Sequence, residues 1–151
     1  MMLLVANKKA RHDYQIENTL LAGVVLTGPE VKSLRLKQAS LKGAFVRLIQ
    51  GEAWLIDAQI SPYKFASNLE YDPKRMRKLL LKKKELGQLT GLKDQSRRTI
   101  VPLSFKLINN KIKLEIGIGR GLKKHEKREK LKKRADRREA QRLLKSKLKG
   151  F

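Results

Sequence analysis

The side chains of this 151-residue chain that could do chemistry are its cations and two imidazoles. His12 and His125 could serve as general base and general acid on a phosphodiester, with a lysine stabilising the phosphorane, which is the chemistry of a nuclease. The pattern argues against it. His125 lies in a stretch too charged to hold an acid within hydrogen-bond reach, and no carboxylate cluster offers magnesium a site. The chain has no cysteine, which excludes thiolate nucleophiles, disulfides and Cys-ligated zinc. No cofactor or metal is expected, and the chain does not read as an enzyme.

What remains is recognition by charge. There are 37 lysines and arginines against 14 acids, a net +23 with a pI near 10.6. Fifteen of the cations fall between Arg120 and Phe151, facing only Glu126, Glu129, Asp136 and Glu139, so this tail carries +11 and the rest of the chain +12. A segment so charged does not collapse on itself in water. It is expected to be disordered when free and to order against a polyanion, where a weak stripe of Ala140, Leu144, Leu148 and Phe151 turns helical as phosphates neutralise its charge. The longest apolar run, Leu20 to Leu26, is too short to span a membrane. Met1 to Ala6 precedes Lys8 and Lys9 instead of following them, so it does not read as a signal peptide. The expectation is a cytoplasmic, monomeric protein without a membrane partner, built as a body over 1–121 and a tail over 122–151.

The elements that must position these cations are mostly strands. Val101, Leu103, Phe105 and Leu107 alternate, Asn109-Asn110 turns the chain, and Ile112, Leu114, Ile116 and Ile118 alternate back, which is a hairpin. Another is expected from Phe45–Ile49, across Gln50-Gly51-Glu52, into a strand with Trp54, Ile56, Ala58 and Ile60 on the buried face. Tyr14 and Ile16 suggest a further strand, and Gly23 to Thr27 a separate one. Pro29 opens a short helix with Val31 and Leu34 on one stripe. Asp72-Pro73 reads as the start of a second helix with Met76, Leu79, Leu80 and Lys83 along its stripe, ending at Gly87 or Gly91. The fold class is therefore mainly β: a small closed OB-like antiparallel barrel flanked by about three helices. Gly117-Ile118-Gly119-Arg120-Gly121 is not a dinucleotide loop, because its first glycine lies within a strand and no apolar helix follows. Eight aromatics are few for a reader that stacks on bases, so recognition is expected to rest on RNA shape and backbone.

Asn7-Lys8-Lys9-Ala10-Arg11-His12-Asp13-Tyr14 brings cations, an amide, an imidazole and a phenol together at the expected entry to the first strand. Further blocks follow in order: Gly28-Pro29-Glu30-Val31-Lys32-Ser33-Leu34-Arg35, Gly51 to Leu55, Ile60 to Tyr63, Asp72 to Leu81 with its Arg-Lys-Leu-Leu-Leu run, Thr99 to Leu103, and Gly121 to Arg128. The series spans nearly the whole chain and resembles the SsrA-binding protein family, small protein B. That resemblance implies a body clasping the tRNA-like domain of transfer-messenger RNA (tmRNA) during rescue of stalled ribosomes. It implies a tail that enters the empty mRNA channel near the decoding centre and becomes helical there, in functional association with the elongation factor that delivers charged tRNA.

Carried over by position, the resemblance makes Asn7, Lys8, Arg11, His12, Lys32, Arg35 and Leu80 RNA-binding residues, and charge and position add Lys9, Arg77 and Lys78 to them. It makes Lys123, Lys124, His125, Glu126, Lys127 and Arg128 the start of the ribosome-binding tail. Arg77 and Lys78 are expected to sit off the helical stripe and reach phosphates, whereas Leu80 reads equally as core or as an RNA-facing side chain. The chain departs from the family pattern at Leu21, where a glutamate is usual, at Leu122, which interrupts the Gly-Lys-Lys start, and in lacking a tryptophan near the end. A basic ribosomal or ribosome-assembly protein is the alternative that composition alone leaves open.

Overall fold

The computed structural model describes residues 1–66, 70–93 and 98–149. The chain forms two compact units, Met1–Gly121 and Leu122–Phe151. In the first, β1 (Met2–Ala6), β2 (Tyr14–Val24), β4 (Phe45–Ile49), β5 (Glu52–Ile56), β7 (Arg77–Leu80), β8 (Arg98–Ile108) and β9 (Lys111–Gly121) make one antiparallel sheet in the order β1-β8-β9-β2-β7-β5-β4. A two-stranded ladder pairs β3 (Ala39–Ser40) with β6 (Gln59–Ile60). The helices are α1 (Lys8–Asp13), α2 (Gly28–Arg35) and α3 (Lys83–Lys93), with α4 (Lys124–Lys149) forming the second unit. The mainly β class holds, but the barrel is not closed. Among the described residues no ladder joins β4 to β1, since β1 covers only the Ser104–Leu107 half of β8 before α1 turns the chain away.

Both expected hairpins form. Asn109 (φ 50°) and Asn110 (φ 63°) supply the left-handed pair that a two-residue hairpin turn requires, as do Gln50 (φ 50°) and Gly51 (φ 76°) between β4 and β5. Two β-bulges then do what simple alternation does not. In β8 the register slips between Pro102 and Ser104, and in β2 between Ile16 and Asn18. A one-residue slip reverses the facing of every later side chain. Val101 and Leu103 consequently pack with Ala10, Tyr14 and Ile16 under α1, whereas Phe105 joins Leu114, Ile116, Leu55 and Leu34 in the main core. Gly119 serves this crossing, because a Cβ there would lie 2.1 Å from the Gln15 carbonyl oxygen.

Four sequence expectations are corrected. Tyr14–Val24 is one strand, the bulge absorbing the break that suggested two. The Asn7 block is not the entry to the first strand: β1 precedes it, and the block itself folds as α1. Trp54 is half-buried on the outer face while Ala53 and Leu55 fill the core; Asp57 (φ 61°) then resets the phase so that Ala58 and Ile60 are buried.

The fourth correction matters most for function. Asp72-Pro73 opens a turn, not a helix: the Asp72 carboxylate accepts the Lys74 N–H at 3.0 Å and its carbonyl accepts the Arg75 N–H at 3.2 Å. Arg77–Leu80 is a strand that fills the gap between β2 and β5, with Leu79 opposite both Val24 and Ala53. The matching helical spacing of Met76, Leu79 and Leu80 is overridden by this pairing. The helix begins later, at Lys83, and runs through Gly87 and Gly91 because Leu86, Leu89 and Leu92 anchor it to the core.

Within the second unit α4 is a 26-residue helix. The Glu126 carboxylate accepts the Lys123 backbone N–H at 3.3 Å, which is half of a capping box. Leu131, Leu143 and Leu144 are exposed along it, and Phe151, the last member of the expected stripe, lies outside the described residues.

Candidate nucleic-acid interface

The sheet has a core face and an outer face, and the register fixes which residues share the latter. In β7, Arg77 and Leu79 point inward, leaving Lys78 and Leu80 outward. Trp54 and Arg47 continue one rung from Lys78. From Leu80 the next rung runs across Gly23 to Lys113 and Lys106. Leu80 is 54% exposed, so its two readings resolve toward solvent. Gly23 leaves it room, since a Cβ there would sit 3.2 Å from that of Leu80. A groove of about 410 Å³ opens beside them, with Val31, Ile112 and Lys113 among its walls.

Arg11 joins this surface from α1. Its guanidinium lies 3.2 Å from one Glu115 oxygen while Lys106 binds the other. Burial pushes the Glu115 carboxyl up, but the hydrogen bond and charge of Lys106, then those of Arg11, hold it below the usual range. Glu115 is directly opposite Leu21, which is 48% exposed on the same face. Lys8 and Lys9 are exposed along α1, and His12 is half-buried in its last turn. Lys32 and Arg35 are exposed in the last turn of α2. In α4, Lys124, His125 and Arg128 are exposed and Glu126 and Lys127 half-buried, with the exposed Lys123 just before its start.

Two predicted contacts do not reach the surface. Asn7 is 5% exposed because it builds the fold. Its Oδ1 accepts the Ala10 N–H to cap α1, and its Nδ2 donates to the carbonyls of Leu41 and Pro102. Arg77 is fully buried. Its Nε donates to Glu30 at 2.8 Å, and its terminal nitrogens donate to the carbonyls of Ala58, Arg75 and Pro73 and to the Tyr71 hydroxyl. A guanidinium has five N–H donors, and all are committed to the protein, so none reaches a phosphate.

Glu30 is the residue that sequence reasoning missed. It caps α2 in a full capping box with Thr27, and its other contacts are Arg75, Arg77 and the Tyr71 hydroxyl at 2.9 Å. Burial alone would raise its pKa; hydrogen bonds from Arg75, the Thr27 backbone and Arg77 outweigh that and lower it to about 2. The same surroundings raise the Tyr71 hydroxyl, first through burial and then through its bond to Glu30. Lys106, Lys113 and Arg47 were missed as well. A signal existed for Lys113: the alternation that assigns Ile112 and Leu114 to the core puts it on the other face.

The outer face is rich in cations, which suits it to a polyanion. His12 and His125 fall in different units, and no group of three or more metal-capable side chains exists among the described residues. No described helix is long and apolar enough to cross a membrane.

A family model described as the SmpB protein matches residues 4–146. The SsrA-binding protein of Lysinibacillus sphaericus (strain C3-41) is 46% identical over 145 residues, covering 96% of this chain and 94% of that protein. The chain belongs to the SmpB family. The SsrA-binding protein of Sulfurihydrogenibium sp. (strain YO3AOP1) is 47% identical over 147 residues, 97% of each chain. A solved chain described as "tmRNA-SmpB: a journey to the center of the bacterial ribosome" superposes with a TM-score of 0.66 at 40% identity, covering 82% of this chain and 91% of that one. Family membership extends over the outer sheet face, α2 and most of α4.

Proposed function

We propose that this chain binds tmRNA and acts with it on the ribosome in trans-translation, the rescue of stalled ribosomes. The observation that carries the reading is the outer face itself. Lys78, Lys106, Lys113 and Arg11 share one face of a preformed sheet with the exposed Leu80, in a chain of the SmpB family. Ladder hydrogen bonds hold the strands rigid, so cations on neighbouring strands meet a phosphate backbone without being ordered first. Leu80 packs against a sugar or base face between them.

The division of labour is part of the proposal. The body, residues 1–121, clasps the tRNA-like domain through this face with Lys8, Lys9, His12, Lys32 and Arg35 around it. The tail, residues 122–151, occupies the mRNA channel. It is helical there and disordered in the free protein, because its net charge opposes a solitary rod in water and is neutralised by ribosomal RNA. The protein works by binding alone, in the bacterial cytoplasm.

A titration of the full chain against the tRNA-like domain of tmRNA, an elongator tRNA and a random duplex, at several salt concentrations, tests the reading. Preference for the first that persists at high salt is the expected result. Equal affinities that vanish together as salt rises would leave only a general basic RNA-binding protein.

A further inference from the structure

Outside the sheet face, the loop after β6 carries the most exposed aromatic side chain among the described residues. Phe65 is 74% exposed. It stands on a turn in which the Ala66 N–H donates to the Tyr63 carbonyl at 3.0 Å, so that Lys64 and Phe65 occupy the two corners. The rings of Tyr63 and Phe65 meet edge to face, 5.4 Å between centroids at 69°. Lys64 places its ammonium 4.9 Å from the Phe65 centroid, and Lys32, reaching from α2, places its own 5.4 Å from that of Tyr63. Among the described residues neither ammonium is paired with a carboxylate.

This cluster is built, not incidental. The base of its loop is fastened by the Ile60 N–H to the Pro73 carbonyl, the Ser61 N–H to the Gln38 carbonyl, and the Tyr71 hydroxyl to both Ile60 and Glu30. Glu30 lies two residues before Lys32 on α2, so the buried Glu30–Arg77 pair fixes the helix that supplies one cation against the loop that supplies the other. Two rings and two cations are thereby presented to solvent already assembled, which lowers the ordering cost of binding.

We propose that Tyr63, Phe65, Lys32 and Lys64 form a platform for one unpaired nucleotide of an RNA. The base stacks on the exposed Phe65 ring, and its flanking phosphates draw the two ammoniums. A planar base fits an exposed ring face, and the phosphates complement the lysines; a duplex offers only the second of these. The proposal goes beyond the function proposed above but rests on its premise that the partner is RNA.

The test uses the full chain and three probes: a hairpin RNA with a single-stranded loop carrying 2-aminopurine, a blunt duplex of matched length, and a polyglutamate peptide. Phe65→Ala is expected to weaken hairpin binding roughly tenfold, to abolish quenching of the 2-aminopurine, and to leave duplex binding unchanged. Lys64→Gln is expected to flatten the salt slope for the hairpin by about one. Phe65→Ala binding the hairpin as the parent does, or losing hairpin and duplex equally, would overturn the platform. Loss of polyglutamate binding alone would assign the surface to acidic peptides instead. If the parent chain binds neither RNA, the functional reading fails; if it binds both and Phe65→Ala changes nothing, only the platform does.

Discussion

Replacing Glu30 by glutamine keeps the shape of the side chain and removes its charge, so it measures what the buried carboxylate contributes. The acid and Arg77 are both essentially inaccessible to water, and Arg75 adds a third, partly exposed group. Lowering the carboxyl from 4.5 to about 2 in the fold corresponds to about 3 kcal/mol of preferential stabilisation of the charged form. That agrees with the roughly 3–5 kcal/mol cost of stranding a buried partner charge. Because the folded-state pKa is depressed, this stability is fully present above the unfolded value and lost as pH falls through the folded one. The window therefore runs from about pH 4.5 down to about pH 2. Urea unfolding followed by the single tryptophan, Trp54, is the assay. E30Q is expected to lose about 3 kcal/mol at pH 7, about 10 °C in Tm, with the gap from the parent narrowing between pH 4.5 and 2. A loss below about 0.5 kcal/mol at pH 7, or a gap that does not change with pH, would refute the view that this network carries its charge at a net gain.

Three further outcomes are expected. Lys78→Ala should leave unfolding unchanged and reduce the salt slope of tmRNA binding by about one, whereas Arg77→Ala should lower Tm sharply, since it strands Glu30; fluorescence-anisotropy titrations beside thermal melts separate the two. Ending the chain after Gly121 should keep affinity for the tRNA-like domain within a few-fold while abolishing tagging in a reconstituted translation system, and equal loss of both would contradict the division between body and tail. Gly119→Ala should cost about 2 kcal/mol or more in urea unfolding, because its Cβ has no room beside the Gln15 carbonyl and the bulged β2 must shift to admit it.

Much of the site was legible as residue type and little of it as placement. The alternation of Ile112 to Ile118 and the Asn109-Asn110 turn placed the β8–β9 hairpin, since both the pleat and the left-handed turn are local properties. Pro29 marked the start of α2 for the same reason, whereas the capping pair of Thr27 and Glu30 emerged only from the structure. Placement failed where a local rule met a tertiary demand. Met76, Leu79 and Leu80 satisfy a helical spacing, yet the vacancy between β2 and β5 made them a strand and turned Leu80 outward. Nothing local separates Arg77 from Lys78 as phosphate ligands. Only the strand parity and the position of Glu30, 47 residues earlier, decide that one is core and the other surface.

The sequence by itself determined the polyanionic class of partner, the absence of thiol chemistry, the family and the two hairpins, because charge, composition and short-range backbone preference are additive along a chain. The tertiary structure alone decided which cations lie on the outer face and which are buried. Burial depends on register, and register is set by bulges in β1, β2 and β8 and by the insertion of β7 between β2 and β5, which no short window contains. It also decided that Asn7 and Arg77 act as structural donors, because a buried amide or guanidinium must bond to whatever surrounds it, and here that is the protein's own backbone and Glu30.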